Sequence, residues 1–567
     1  MRKWKVFLVL GFLIAGRGGA ATLVVDPKSA NASDTGPGSR SFPLQTIAEG
    51  MNRLMPGDTL NIAGGVYREA IRIPRRSWSV SAPTTIQAMD GTQVLIKGSR
   101  IFDNWRSKAP GVWEHPLADQ PQQVFVNGKP LRQLGGTIFD GYPVRRDHPL
   151  SQLHANQGGI WPARIKFDAS ELSDASFYFD EGAKKLLIRV DLQSLDHVQV
   201  EVSLAPVLLL GMELEAVTIR GISFEHASTT TRSRNGALAL GGRKITVDRV
   251  TVRNVDGVGI TASGEDIVIQ NSRFDSCGQL GMNLRGTRYQ LINNQTNGNN
   301  TRGFNKWWEA GGAKFVGQGG LKDSLILEHT SMYNNGDGLW FDWGNERNRV
   351  ERGVFAFNTG FGIHYEASSW ATIIDNLAVG NGQRGIYLIE SRNSLIAHNF
   401  VAFNKLEGVA IIEEGRKDAT GILDLKPMDN VVVANIVAWN QGSAVVLPGM
   451  KWKNMSDNNT FVVTNERTPP LFSMGWPTTL NPRVALAEWR TLEGQDRNSV
   501  VLTIAPSAQT ELALRNKQQL AYPLPELRTA IANHRIKWRG TYRPNSPTIA
   551  LGESVGPRRI SMPESRK

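Results

Sequence analysis

Residues 336–368 read GDGLWFDWGNERNRVERGVFAFNTGFGIHYEAS and hold two similar phrases, GLWFDW and GFGIHYEAS. In each, a glycine (Gly338 or Gly362) opens a short alternating run that ends on a carboxylate, Asp342 or Glu366. The same glycine recurs outward in both directions. Towards the N-terminus stand Gly312 in GAKFV, Gly281 in GMNLR, Gly259 in GITAS and Gly236 in GALAL. Towards the C-terminus stand Gly385 in GIYLI and Gly408 in GVAII. From Gly236 to Gly408 the steps are 23, 22, 31, 26, 24, 23 and 23 residues. Asn335, Asn358, Asn381 and Asn404 keep a step of 23, as do Asn376 and Asn399.

A repeat of this length holds three short strands and three turns, one coil of a right-handed parallel β-helix. Glycine and asparagine tolerate left-handed backbone angles and are expected at the turns. Stacked asparagines are expected to hydrogen-bond along the coil axis as ladders. A leucine-rich solenoid is excluded because no leucine consensus recurs. The predicted class is therefore all-β, a solenoid whose main body spans 205–520. The longer steps hold loop material such as NTRGFNKWWEAG before Gly312.

Upstream, Leu44, Ile47, Met51 and Leu54 fall at helical spacing. They predict a short amphipathic helix over the open N-terminal end, within a unit of cap and first coils at 21–104. Residues 105–204 break the period. Hairpin signals in VFVNGKPLRQL and FYFDEGAKKLLIRV predict an inserted β-sandwich module. LAEWRTLEGQDRNS closes the stack, and 521–567 reads as a proline-rich tail.

Residues 1–20 read as a Sec-type signal peptide: Arg2, Lys3 and Lys5, an apolar run from Val6 to Ala15, then Gly18 and Ala20 as a small-residue cleavage site. The expected location is periplasmic or secreted. No later stretch predicts membrane insertion. The formal charge is +12, and loss of Arg2, Lys3, Lys5 and Arg17 leaves 12 − 4 = +8. No dense Lys/Arg run of the kind that tracks nucleic acid is present. Cys277 is the single cysteine, so no internal disulfide forms and the thiol reads as a small buried apolar group.

With each anchor glycine as zero, positions +1 and +3 face the core, for example Leu339 and Phe341, or Ile363 and Tyr365. Positions +2 and +4 then face outward as two columns. The first runs Leu238, Thr261, Asn283, Lys314, Trp340, His364, Tyr387, Ala410. The second runs Leu240, Ser263, Arg285, Val316, Asp342, Glu366, Ile389, Ile412. The middle coils thus gather Asp342 and Glu366 among polar and aromatic groups. Neighbouring strands lie about 4.8 Å apart, and a retaining glycosidase needs its two carboxyl groups about 5–5.5 Å apart. Like charges this close raise one pKa, which suits a general acid. The expected roles are Asp342 as nucleophile and Glu366 as general acid/base. Trp340, Trp343, Tyr387 and Trp307 or Trp308 are expected to stack on sugar rings, while Asn283, Arg285, Lys314 and His364 hold hydroxyls or a carboxylate. The hydrolysis needs no cofactor. A second carboxylate pair, Glu390 and Glu413, offers ligands for a structural cation.

GLWFDW followed by GIHYEAS resembles the paired motif of glycoside hydrolase family 120, the β-xylosidases. In that family the first motif's Asp is the nucleophile and the second motif's Glu the acid/base, which fall on Asp342 and Glu366. The stretch FPLQTIAEGMNRLMPGDTLNIAGGVYRE and the inserted sandwich are also similar. Family 141, with fucosidases and xylanases, has a similar build. The resemblance implies a retaining hydrolase of a polysaccharide or oligosaccharide, a xyloside-like substrate first. Two rivals stand beside it. One is a lyase or epimerase of a uronate polymer, with Lys314 or Arg285 as base. The other is a non-catalytic carbohydrate-binding protein that keeps the tryptophans and has no need of the acids. Anomer, exo or endo action and oligomeric state stay open.

Overall fold

The structure, a computed structural model, describes residues 19–136, 167–229, 235–304, 306–307, 309–317, 319–467, 469–475, 481–518 and 524–528. Residues 1–18 of the predicted signal peptide and the tail after 528 lie outside the described residues.

Strands of two to eight residues repeat around a right-handed parallel β-helix. Among the described residues, one face is a 13-stranded sheet and a second a 14-stranded sheet. The third face is divided into a five-stranded and a seven-stranded sheet. Each strand pairs in parallel with its equivalent one coil on. Leu339 faces Ile363 and Phe341 faces Tyr365. Those in turn face Ile386 and Leu388, then Val409 and Ile411. All eight of these side chains are fully buried in one continuous core. Burying each such apolar side chain contributes about 1.5–3 kcal/mol.

The register differs from the sequence reading in the first long coil. Leu238 pairs with Ile260 and Leu240 with Ala262, so both leucines point inward. The outward column there holds Ala239 and Gly241. Gly236 had been matched one residue early, because Ala237 takes the glycine position.

The anchor glycines also serve a different purpose from the one expected. Gly338 and Gly362 have no left-handed angles. A Cβ on Gly338 would lie 2.6 Å from the carbonyl oxygen of Gly362, and one on Gly362 would lie 2.6 Å from that of Gly385. Close approach of stacked backbones excludes a side chain there. Left-handed residues stand at the turns instead, and one column of them lies between the 13-stranded face and the third face: Arg249, Asn271, Asn293, Glu328, Arg352, Asp375, His398, Ala434 and Asn458.

Both asparagine ladders form. Asn358 Nδ2 donates to Asn381 Oδ1 at 3.0 Å, and Asn381 to Asn404 at 2.9 Å. Asn376 donates to Asn399 at 3.0 Å. The rung before Asn358 is Asn334, which donates to it at 2.8 Å; Asn335, expected there, sits one residue too late.

The helix Ile47–Arg53 closes the N-terminal end, capped by Thr46 and burying Leu44, Ile47, Met51 and Leu54. At the other end the helix Leu486–Glu493 buries Trp489, whose ring stacks on Phe472 at 5.3 Å. Between the early coils, strands within 99–136 and 167–203 form a four-stranded and a five-stranded sheet around a shared core that includes Val124, Phe177, Ile188 and Val202. Buried Glu201 fastens this sandwich to the helix through Arg68 at 2.8 Å and Lys97 at 3.1 Å. Cys277 is free and fully buried.

Candidate active site

Asp342 and Glu366 end neighbouring strands of the 14-stranded sheet, Asp337–Asp342 and Ile363–Glu366, and are paired directly in register. Both point away from the coil interior, since their flanking residues Phe341 and Tyr365 fill the core. The next residues, Trp343 and Ala367, take left-handed angles, so the chain turns as soon as each carboxylate is placed.

The sequence reading turned both acids freely to water. The structure instead covers them: 17% of the Asp342 side chain and 13% of the Glu366 side chain are exposed. Lys314 Nζ lies 2.9 Å from Asp342 Oδ2 and 3.3 Å from the centre of the Trp340 ring. Arg416 Nη1 lies 2.5 Å from Glu366 Oε1. Trp340 Nε1 donates to Glu366 Oε2 at 2.8 Å. Two cations and an indole N–H therefore balance two carboxylates held side by side, which alone would repel.

Burial pushes the Asp342 carboxyl above its ordinary value, opposed by Lys314 and reinforced by the Glu366 charge. Burial acts on Glu366 in the same sense, but the charges of His364, Arg416 and Lys314 outweigh it and hold that carboxyl below the usual range. The two acids are thus driven apart in proton affinity, in the sense opposite to the expectation from sequence: the raised carboxyl is Asp342, and Glu366, expected as the general acid, is the lowered one.

His364 and Tyr387 follow Trp340 in the inner column. The His364 ring stacks between Trp340 at 4.9 Å and Tyr387 at 5.0 Å. It is 5% exposed, so it does not offer itself to a sugar hydroxyl as the sequence suggested. Its Nδ1 lies 3.0 Å from Asp337 Oδ2 and its Nε2 3.5 Å from Glu366 Oε2. Tyr387 is equally covered, under Arg384 at 4.5 Å from its ring.

Trp343 is exposed beside Asp342, and Trp307 is exposed with its ring against the edge of Phe361 at 5.8 Å. Trp343 directly follows Asp342 in the chain, and Lys306 lies over the Trp307 ring at 5.2 Å. Trp308 lies outside the described residues. Asn283 is half-buried in register with Lys314, and Arg285 is exposed two coils before Asp342.

Glu390 and Glu413 have protein partners. Glu390 Oε1 accepts the backbone N–H groups of Glu414 and Arg416 at 2.7 and 3.0 Å. Glu413 accepts from Trp452 Nε1 at 2.7 Å and pairs with Lys451 at 3.3 Å. Among the described residues no group of three or more His, Cys, Asp or Glu side chains is placed to hold a metal ion.

Arg416, Asp337 and the brace at Glu390 escaped the sequence reading. A signal for Arg416 was present: the ladder step from Asn404 to Asn440 is 36 residues where its predecessors are 23, and the extra loop carries Arg416.

Residues 235–402 match the family model for the right-handed β-helix region. The fold is similar to that of XylC, solved in complex with xylose, with a TM-score of 0.59 at 16% identity over 85% of this chain and 86% of that one. A glycoside hydrolase is similar at a TM-score of 0.43, 12% identity, over 90% of this chain and 100% of that one. A rhamnogalacturonan lyase follows at 0.39, 11% identity, over 78% and 87%. No curated protein matches the sequence.

Proposed function

We propose that the protein is an exported retaining glycoside hydrolase in which Asp342 is the nucleophile and Glu366 the general acid/base. The observation that carries this is the in-register placement of Asp342 and Glu366 on adjacent strands, outside the core and under cationic cover. Strand spacing of about 4.8 Å fits the separation of about 5–5.5 Å that retention requires and leaves no room for the water of an inverting enzyme.

In the first step Asp342 attacks the anomeric carbon while Glu366 protonates the departing oxygen. In the second step Glu366 takes a proton from water, which releases the sugar from Asp342. Lys314 holds Asp342 in the direction of attack. The neighbouring histidine favours Glu366 as the group that exchanges protons. Exposed Trp343 and Trp307 supply faces for the hydrophobic sides of sugar rings. XylC, solved with xylose, makes pentosides the first substrates to try.

A lyase reading finds less support, because of its two candidate bases Lys314 is held by Asp342 and the Trp340 face, and Arg285 lies two coils before Asp342. A lyase also leaves an unsaturated product that absorbs in the ultraviolet.

The test is a panel of aryl xylosides, arabinosides and fucosides, with Asp342→Asn and Glu366→Gln as controls. The expected outcome is cleavage of at least one glycoside, with turnover reduced about 10²–10⁴-fold by Glu366→Gln on a poor leaving group and at least as much by Asp342→Asn. Full activity in either variant, or an unsaturated product from a uronate polymer, would overturn the assignment.

A further inference from the structure

We propose that Glu366 and His364 share one proton, and that Asp337, buried behind the imidazole, sets which of the two holds it. This rests on Glu366 being the acid/base of the proposed reaction and adds where its proton comes from.

Asp337 is 3% exposed. Its Oδ1 accepts the N–H of Phe361 at 2.8 Å, which leaves Oδ2 facing His364 Nδ1 at 3.0 Å. An ionised carboxylate can only accept, so the imidazole carries its hydrogen on Nδ1 and donates it to Asp337. That hydrogen bond fixes the tautomer and leaves the lone pair on the far nitrogen. The far nitrogen, Nε2, is buried without a hydrogen-bond partner and faces Glu366 Oε2 at 3.5 Å. The ring cannot swing elsewhere. Trp340 and Tyr387 stack on its two faces, and Phe361 meets it edge-on at 4.8 Å.

A buried nitrogen without a partner is costly at about 1–3 kcal/mol. The cost is recovered when a proton lies between Nε2 and Oε2. Glu366 otherwise receives donors on both oxygens, Arg416 on Oε1 and Trp340 on Oε2. A carboxyl so placed holds its own proton poorly at rest, and a neighbouring imidazolium is a ready source.

Among the described residues, the charged and titratable groups around the ring are Glu366 on its own strand, Asp337 and, beside Glu366, Asp342 on the preceding strand, and Tyr387 on the following one. Lys314 lies beyond Trp340, Arg384 beyond Tyr387 and Arg416 on the far side of Glu366. Two carboxylates thus touch the imidazole directly, and each cation stands one group away.

The step balances within the pair. The Nε2–H bond breaks as an O–H bond forms on Glu366, and that O–H bond breaks in turn as the departing glycosidic oxygen takes the proton, which leaves Glu366 a carboxylate and His364 neutral. In the second half of the reaction, water gives a proton to Glu366, and the proton passes back to Nε2. Asp337 and His364 are positioning residues here; neither touches the sugar.

Histidine-selective ¹⁵N NMR of the full chain tests this without any substrate, with the signal assigned by its loss in His364→Gln. Nδ1 should remain protonated across the titration. The midpoint at Nε2 should fall by about one pH unit or more in Glu366→Gln and again in Asp337→Asn, since each removes a negative charge that favours imidazolium. Thermal melts confirm that both variants are folded. A midpoint unmoved by both substitutions, or a bare Nδ1, overturns the proposal.

Kinetics give a second reading. In kcat/KM, which reads only the step that expels the leaving group, His364→Gln and Asp337→Asn should lose little on a dinitrophenyl glycoside, whose leaving group needs no acid. On the unactivated phenyl glycoside they should lose about 10²-fold or more. Equal losses on both would mean a structural role only and would overturn it. A wild-type protein that cleaves no glycoside overturns the proposed reaction, while the NMR midpoints still decide whether the proton is shared.

Discussion

Asp342 and Glu366 were legible because a strand period converts sequence spacing into position. Two phrases 24 residues apart had to stack, and acids at equal offsets had to meet. Their cover was not legible. Arg416 reaches Glu366 from 50 residues away, on a loop without period, and only folding brings them to 2.5 Å. Asp337 directly precedes its anchor glycine, outside the two outward columns, and His364 stands in the first of those columns. Both are buried because the aromatic column Trp340, His364, Tyr387 packs into a wall of its own. The charges make a prediction for Arg416→Gln. Glu366 lies below its ordinary pKa partly through Arg416, so losing that cation raises its proton affinity. The basic limb of kcat/KM, which belongs to the Glu366–His364 pair, should move to higher pH. Stability has the matching sign. A carboxylate with a lowered folded pKa stabilises above its unfolded value and loses that contribution as pH falls through the folded one. The Tm difference between wild type and Arg416→Gln should therefore be present at neutral pH and vanish in acid. A difference that grows on acidification would contradict this.

At the scale of the element, each coil is held by its core column, its asparagine rungs and its closest backbone contact. The first two followed from alternation and spacing. The third did not, because glycine at a turn and glycine under a neighbouring carbonyl look alike in sequence. Gly362 belongs to the second kind. Gly362→Ala should destabilise by about 1–3 kcal/mol through overpacking, read as a lowered denaturant midpoint. Gly65→Ala is the comparison. It too lies in a strand, but its added Cβ would meet nothing closer than the Tyr67 ring at 3.5 Å. That change should stay within about 0.5 kcal/mol. Equal effects at both positions would mean that close stacking does not select the anchor glycines. The single-residue slips at Gly236 and Asn335 have a related cause. Where alanine replaces the anchor, or two asparagines adjoin, pattern alone does not choose between neighbours.

For the molecule as a whole, the repeat told the class of fold, and the departures from it marked the site. The asparagine ladder lengthens twice, to 35 residues between Asn299 and Asn334 and to 36 between Asn404 and Asn440. The first extra segment carries Trp307, and the second carries Arg416. The two acids lie on coils between them. Arg302 in the first loop pairs with Asp256 at 2.8 Å and bonds Gln133 of the inserted sandwich, which ties that module to the rim of the site. Insertions are tolerated at turns of a solenoid because each coil needs only its neighbours, so substrate-contacting segments accumulate there while the stack keeps the carboxylates in register. The most direct measurement is covalent trapping with the 2-deoxy-2-fluoro form of whichever aryl glycoside the protein cleaves, followed by peptide mass mapping. The account predicts one sugar adduct, on the peptide that contains Asp342. An adduct on Glu366 or on any other residue, or turnover that inverts the anomeric centre, would contradict it.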